Sequence, residues 1–232
     1  MSSTLEMKEY TAGGYLPASF LDWDGHVSAV VFTSGCNFRC PWCHNSELVL
    51  QKTDLIDLSF ITHDICKRRK FLDGVVLTGG EPCLWDGLFD FLRMMKKLKI
   101  KVKLDTNGSM PDILEKVLEE DLADHVAMDV KAPLDEQSLK RLTGVDVRVE
   151  NIRKSIEIIK RLAPSYEFRT TFVEGLLNFE DMHELRKELN DDAHWVIQCF
   201  RPVNCLDPDY CSSPPVDAEK LRDKFPGIKV RG

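Results

Sequence analysis

Three cysteines, Cys36, Cys40 and Cys43, stand within eight residues in a C-x3-C-x2-C arrangement. Thiolate sulfurs are the ligands that structural zinc and iron–sulfur clusters take in proteins. Tetrahedral zinc normally needs four ligands from two separated pairs, and His44 adjoins Cys43 too closely to supply an easy fourth vertex. Three neighbouring thiolates fit a [4Fe–4S] cluster with one iron left open to a cofactor or substrate. A non-catalytic zinc or iron–sulfur module is the alternative that this spacing leaves open.

The other five cysteines are predicted not to be ligands. Cys66, Cys83 and Cys199 are single thiols, and a buried free cysteine usually packs as a small hydrophobic residue. Cys205 and Cys211 form a C-x5-C pair without a second pair, which is too little for an auxiliary cluster. The sequence therefore predicts one cluster and five structural thiols.

Composition excludes two classes of partner. No apolar run of the 232-residue chain approaches the roughly 18 residues of a membrane helix. A net charge of −7 argues against binding nucleic acid, which normally needs a basic face. The N-terminus has neither the basic nor the apolar region of a secretory signal, so the sequence predicts a cytoplasmic protein. Structural disulfides are rare in the cytoplasm.

Six short apolar segments alternate with helical patterns and position the chemistry. The predicted strands are Val27–Thr33, Gly74–Thr78, Ile100–Asp105, His125–Val130, Tyr166–Phe172 and Trp195–Phe200. Predicted helices lie between them at Ser59–Lys70, Leu88–Leu98, Pro111–Glu120, Ile152–Leu162 and Phe179–Asn190. This order predicts an α/β fold of parallel strands, a partial (β/α)6 TIM-like barrel. Lys99, Lys101 and Lys103 alternate with apolar residues, which predicts an exposed side for the third strand.

The chain is predicted to form a single domain, residues 1–232. Its core spans about residues 26–202, and residues 203–232 form a C-terminal loop with a short helix at Ala218–Phe225. No repeat, low-complexity tract or linker divides it.

Polar motifs fall at the carboxyl ends of successive predicted strands, the rim where barrel active sites assemble. They are Gly79, Gly80 and Glu81 in the TGGEP turn, Asp105, Thr106 and Asn107 after the third strand, and Asp129 and Lys131 after the fourth. The two glycines lack side chains and would let backbone groups approach a ligand closely. Arg169, Gln198 and Arg201 could line the same cavity. Taken singly, each of these residues is more often an ordinary loop residue whose polar groups bind water. Trp42, which directly precedes Cys43, is equally well explained as a buried residue of the core.

The cysteine motif with Trp42, followed by the GGE motif, resembles the radical S-adenosylmethionine (SAM) superfamily. The resemblance implies that Cys36, Cys40 and Cys43 ligate one [4Fe–4S] cluster and that SAM chelates the open iron. It implies cofactor contacts from Trp42, Gly79, Gly80, Glu81 and the strand-end residues Asp105, Thr106, Asn107, Asp129 and Lys131, sometimes with a monovalent cation. No catalytic residue beyond the cluster and SAM is expected.

Within that superfamily, the Cys43-His44-Asn45, DTNG and DVK motifs are similar to the activating proteins of glycyl radical enzymes. The similarity is greatest to the activating protein of anaerobic ribonucleoside-triphosphate reductase. It implies reductive cleavage of SAM to a 5′-deoxyadenosyl radical, which abstracts hydrogen from a glycine of the partner enzyme, with flavodoxin or ferredoxin as electron donor. The alternatives are another glycyl radical partner, such as pyruvate formate-lyase, and a small-molecule substrate. The basic run from Lys67 to Lys70 could dock the electron donor, although it is also an ordinary solvated helix end.

Overall fold

The computed structural model describes residues 9–232, which contain one eight-stranded sheet and one two-stranded sheet. The strands are β1 Thr11–Ala12, β2 Gly14–Ser19, β3 Ser28–Thr33, β4 Ile56–Asp57, β5 Gly74–Gly79, β6 Lys101–Thr106, β7 His125–Asp129, β8 Tyr166–Phe172, β9 Trp195–Cys199 and β10 Lys229–Arg231. The large sheet has the order β10-β9-β8-β7-β6-β5-β3-β2, in which only the β2–β3 pair is antiparallel. β1 and β4 form the small antiparallel sheet.

Helices connect the parallel strands, as their spacing predicts. They are α1 Ser46–Val49, α2 Leu58–Arg68, α3 Leu88–Leu98, α4 Pro111–Glu119, α5 Glu136–Thr143, α6 Val149–Leu162, α7 Phe179–Glu188 and α8 Ala218–Lys224. Pro111 occupies the first turn of α4, where its missing N–H costs nothing. Asn178 and Asp181 form a reciprocal capping box at the start of α7. The apolar faces of the helices pack against one face of the sheet and form the main core.

The six predicted parallel strands are confirmed as β3 and β5–β9, and the molecule is a single-domain α/β partial barrel. Two strands of the large sheet were not predicted: β2 lies in a segment that the sequence left unassigned, and β10 lies in the segment that was expected to hold only a loop and a short helix. β2 joins one edge of the sheet, and β10 joins the other edge from within the C-terminal segment. The N-terminal residues that bear on a targeting signal lie partly outside the described part of the chain.

The inner face of the curved sheet carries charged side chains rather than apolar ones alone. The exposed side predicted from the alternating lysines holds for Lys99 and Lys101, which are exposed, but not for Lys103, of which only 4% is accessible. Its Nζ lies 2.5 Å from the main-chain oxygen of Asp22 and 3.5 Å from Asp105 Oδ1. A buried lysine needs such partners, and the alternation places Lys103 inside the barrel because residues i and i+2 share a face.

The loop between β2 and β3 crosses to the far edge of the sheet. Asp24 in this loop accepts hydrogen bonds from Lys229 and, at 2.7 Å, from Arg231 on β10. Arg231 also binds Glu167 of β8 through both of its terminal nitrogens, at 2.8 and 2.9 Å. Ion pairs thus connect the two edges of the large sheet, at β2 and at β10, which are not joined by backbone pairing. No helix within residues 9–232 has the length and hydropathy to cross a membrane.

Candidate active site

A cavity of about 370 Å³ lies at the carboxyl ends of the parallel strands. All twelve residues predicted for the site line it: Cys36, Cys40, Trp42, Cys43, Gly79, Gly80, Glu81, Asp105, Thr106, Asn107, Asp129 and Lys131. Arg169 and Gln198 also line it, whereas Arg201 does not. The topology gathers these residues because every parallel strand ends at the same rim.

The cysteine loop follows β3 and is held at both ends by backbone hydrogen bonds. Gly35 N donates to Leu48 O at 2.8 Å, and Arg39 N donates to Thr143 O at 2.7 Å. Within the loop, Phe38 N donates to Cys36 Sγ at 3.3 Å. Within residues 9–232, no three His, Cys, Asp or Glu side chains are close enough to enclose a single metal ion. The three thiols instead line the wall of one cavity.

Burial favours the protonated form of two of these thiols, Cys36 and Cys40. It raises the pKa of Cys36 and raises the pKa of Cys40 to about 12, while the nearby Lys131 ammonium acts in the opposite direction. Metal ligation requires thiolates, and a bound metal itself favours the deprotonated form. Three sulfur donors beside a lysine cation fit a thiolate-bound cluster that has one position free of cysteine.

The TGGEP turn packs directly on the start of the cysteine loop. Gly80 N donates to Thr33 O and Glu81 N donates to Gly35 O, both at 2.9 Å. A Cβ at Gly80 would lie 1.8 Å from Gly35 O, and one at Gly79 would lie 2.4 Å from Thr33 N. Both glycines are thus required by contact with the neighbouring backbone, a reason that the sequence interpretation did not contain.

The Glu81 carboxylate joins two loops and is 1% exposed. It accepts hydrogen bonds from Cys83 N at 3.0 Å, Thr106 Oγ1 at 2.7 Å and Asn107 N at 2.7 Å. Burial raises the pKa of Glu81, and these donors act against that shift. Glu81 and Thr106 therefore connect the loop after β5 to the loop after β6, and their contact with a cofactor stays a prediction.

Asn107 extends this network to the cysteine loop. Its Nδ2 donates to Asn37 Oδ1 at 3.0 Å and lies 3.9 Å from Cys36 Sγ. Asn37 in turn donates to Ser109 Oγ at 2.9 Å. The Cys36 thiol thus lies beside the amide side chain of Asn107, which follows β6.

Arg169 lies between the two strand-end aspartates. Its Nε donates to Asp129 Oδ1 at 2.8 Å and its Nη1 donates to Asp105 Oδ2 at 3.2 Å, while its side chain is only 11% exposed. Lys131 Nζ donates to the other oxygen of Asp129 at 3.2 Å. Burial raises the pKa of Asp129, but Arg169 and Lys131 outweigh burial and lower it overall. Asp105 Oδ1 is buried and accepts no hydrogen bond.

Trp42 is both a packed and a cavity-lining residue. It is 7% exposed, and Lys131 Nζ lies 4.9 Å from the centre of its ring. Its indole Nε1 is buried without a hydrogen-bond partner, although a buried indole N–H usually finds one. The lining thus contains one donor without a partner, Trp42 Nε1, and one carboxylate oxygen, Asp105 Oδ1, that accepts no hydrogen bond and lies 3.5 Å from Lys103 Nζ, which fits a ligand with polar groups.

A second cavity of about 480 Å³ adjoins the first one, and His44 and Asn45 line both. Its other walls include Gly13 and Gly14 at the β2 edge, Glu47 and Leu48 of α1, and Asn204 and Cys205 after β9. His44 Nε2 donates to Arg201 O at 2.6 Å, and Asn45 Nδ2 donates to Gly79 O at 3.1 Å. His44 and Asn45 thus separate the thiol-lined cavity from this side cavity.

Sequence reasoning named Asn45 and Asn37 only within quoted motifs, and it gave Arg169 no specific partner. The sequence pattern that could have identified the partners of Arg169 is a positive charge within one predicted strand and an aspartate at the end of each of the two preceding strands. The signal for Asn45 was an amide directly after the third cysteine and its histidine. The other five cysteines lie outside the thiol-lined cavity.

A partial barrel with three thiols and a charged cavity on its rim is the architecture of a barrel enzyme with a thiolate-bound metal cluster. The family model of the radical SAM superfamily matches residues 30–190, and the chain belongs to that superfamily. It is therefore a radical SAM enzyme, and membership implies a [4Fe–4S] cluster and SAM as cofactors.

Similar proteins include two from Methanocaldococcus jannaschii, both provisionally named as glycyl-radical enzyme activating enzymes. One is 33% identical over 214 residues, which cover 90% of this chain and 88% of the relative. The other is 26% identical over 71% of this chain and 62% of the relative. A protein of Thermococcus kodakarensis, provisionally named a GTP 3′,8-cyclase, is 30% identical over 63% of this chain and 48% of its own length.

Solved structures agree on the fold. Streptococcus suis SuiB bound to its precursor peptide SuiA superposes with a TM-score of 0.67 at 16% identity, over 88% of this chain. The match covers 48% of the SuiB chain, so this protein spans about half the length of that structure. At this identity the likeness concerns the fold alone.

Proposed function

We propose that this radical SAM enzyme generates a glycyl radical on a partner enzyme, specifically an anaerobic ribonucleoside-triphosphate reductase. The observation that carries the proposal is the similarity to the first Methanocaldococcus jannaschii relative, which extends over nearly all of both chains. The motif after the third cysteine, His44-Asn45, supports the same assignment. The proposal places the reaction in the cytoplasm at low oxygen.

The residues of the rim divide the work of binding. Cys36, Cys40 and Cys43 would hold the cluster. Lys131 and Arg169 are cations that line the cavity and are placed to receive a carboxylate, and the Asp105 oxygen that faces Lys103 is placed to accept a hydrogen bond. Arg169 already occupies the space between Asp105 and Asp129, so these carboxylates need no monovalent cation between them.

When bound, the cluster and SAM would supply the radical chemistry that removes hydrogen from a glycine α-carbon, by one-electron reductive cleavage of SAM. The chain's own residues bind and orient these groups and exclude water from them. Trp42, buried against Lys131, forms an apolar wall of the cavity. The side cavity supports the proposal of a protein substrate, because it lies directly beside the thiol-lined cavity, across His44 and Asn45, where a glycine-bearing loop would bind.

The test is an anaerobic mixture of the reconstituted protein, SAM, a reductant and the candidate reductase. We expect 5′-deoxyadenosine and a glycyl radical signal by electron paramagnetic resonance, each only when this protein is present. Cys40→Ala should abolish both and lower the iron content, whereas the matched Cys66→Ala variant should keep them. A reductase that acquires no glycyl radical while 5′-deoxyadenosine still forms would refute the partner and leave the radical SAM assignment standing.

The similarity to the Thermococcus kodakarensis protein favours a second candidate, a nucleotide substrate. It covers less of both chains, and it predicts that GTP is consumed with SAM and reductant in the absence of any partner protein. Unchanged GTP in that mixture removes this candidate.

We also propose that flavodoxin or ferredoxin supplies the electron and docks at the basic end of α2. Lys67, Arg69 and Lys70 are exposed there, and Arg68 pairs with Asp64 at 2.9 Å. An acidic donor would be attracted by this run, so the reduction rate should fall as salt rises. A rate that salt does not change would contradict docking at this position.

A further inference from the structure

Two cysteines that the site does not use lie in contact beside the side cavity. Cys205 N donates to Cys211 Sγ at 3.3 Å, and the two thiols are close enough for Cys211 to influence the pKa of Cys205 through a hydrogen bond. Cys205 is buried, with 8% exposed, whereas Cys211 is exposed. Redox-sensitive cysteines have this arrangement, with an accessible thiol beside a resolving thiol.

We propose that Cys205 and Cys211 form a reversible intrachain disulfide when the protein meets a small-molecule disulfide. The exposed Cys211, as a thiolate, attacks one sulfur of that disulfide and releases one thiol. Cys205, after losing its proton, attacks the resulting mixed disulfide at the Cys211 sulfur and releases the second thiol. The protein loses two protons and two electrons, and the small disulfide takes them up and is reduced to two thiols. Excess dithiol reverses both steps.

The bond would close a ring over residues 205–211, next to the proposed metal loop. Asp207 lies within this ring, and its N–H donates to Pro41 O at 2.8 Å, between Cys40 and Cys43. Cys205 itself lines the side cavity. A closed ring has fewer open conformations, so oxidation should hold the segment against the cysteine loop and fix one wall of the side cavity.

The thiol pairing requires neither SAM nor a partner, so its test stands apart from the proposed function. The reconstituted protein is treated anaerobically with oxidised glutathione, freed of it, denatured and alkylated. We expect alkylatable thiols to fall from eight to six and to return to eight after dithiothreitol. Eight thiols after treatment would overturn the proposal, and so would a glutathione adduct without a crosslink.

Trypsin and two variants locate the bond. Cleavage after Lys187 and Lys220 yields peptide 188–220, which holds Cys199, Cys205 and Cys211, because the Arg201–Pro202 bond resists trypsin. Cys211→Ser should abolish the crosslink, whereas the matched Cys199→Ser variant, altered in the same peptide, should keep it. A crosslink that survives Cys211→Ser would show that Cys199 is the partner and would overturn the assignment.

Hydrogen exchange tests the restraint on the segment. Oxidised protein should exchange the Asp207 amide several-fold more slowly than reduced protein, because opening of the segment breaks its bond to Pro41. Equal exchange in the two forms would overturn the inference that the ring fixes the cavity wall.

Discussion

Replacing Glu81 with glutamine tests whether a buried carboxylate stabilises the rim. All three groups that contact its oxygens are donors in the observed geometry, and two of them are backbone N–H groups that cannot reverse their role. A glutamine has one oxygen and one NH2 group at these positions. In either orientation its NH2 faces a backbone N–H, of Cys83 or of Asn107, and leaves that donor unsatisfied.

The magnitude follows from competing effects. A buried donor without a partner costs about 1–3 kcal/mol, and the hydrogen bonds that remain change from charge-assisted to neutral, a loss of about 1 kcal/mol each. Burying the charged carboxylate costs free energy, and this cost is the cause of the raised pKa of Glu81. Removing the charge recovers part of that cost. We expect a net loss of about 2–3 kcal/mol for Glu81→Gln. In a chain of this size that lowers the melting temperature by roughly 5–10 °C.

The assay is thermal unfolding of the anaerobic protein, followed by circular dichroism. Glu119→Gln, an exposed change of the same chemistry, is the matched control and should shift the midpoint by less than about 2 °C. If Glu81→Gln melts at or above the wild-type temperature, the cost of burying the carboxylate charge outweighs its three hydrogen bonds, and the carboxylate does not stabilise the rim.

Three further changes probe other parts of the rim and barrel. Gly80→Ala should greatly reduce bound iron after reconstitution, because the turn must move by roughly 1 Å away from the cysteine loop, whereas Gly14→Ala, whose nearest contact is 3.4 Å, should retain it. Arg169→Met should cost about 2 kcal/mol of unfolding free energy, because two half-buried carboxylates lose their shared cation, and Arg169→Lys should restore part of that loss in denaturant titrations. Burial lowers the pKa of His125 to about 4, so the neutral imidazole contributes stability that is complete above about pH 6.5 and is lost as the pH falls toward 4. The melting temperature of His125→Asn should fall less than that of wild type across this range, and parallel curves would contradict the assignment.

The six central strands were predictable because each is a short apolar run bounded by turn residues. β2 escaped prediction because its sequence, GYLPAS, contains Gly14 and Pro17, which depress strand propensity. Proline is tolerated there because β2 is an edge strand whose outer backbone groups need no partner. β10 has three residues, too few for a periodic pattern.

The site was predictable to the level of which residues share the rim, and not to the level of which atoms meet. Arg169 meets Asp105 and Asp129 because all three face inward in a particular register of β6, β7 and β8. Register between parallel strands depends on packing across the whole sheet, which no single segment encodes. The same limit hid Lys103, whose alternation with apolar residues is compatible with either face.

The bridge from Asp24 to Arg231 also sets an order in time. The two residues are 207 positions apart, so their contact cannot form before Arg231 has been synthesised. Contacts of such sequence separation carry a large loop-closure cost and tend to form late in folding. The central strands would therefore form an open sheet first, and the ion pairs between the β2 edge and the β10 edge would form last.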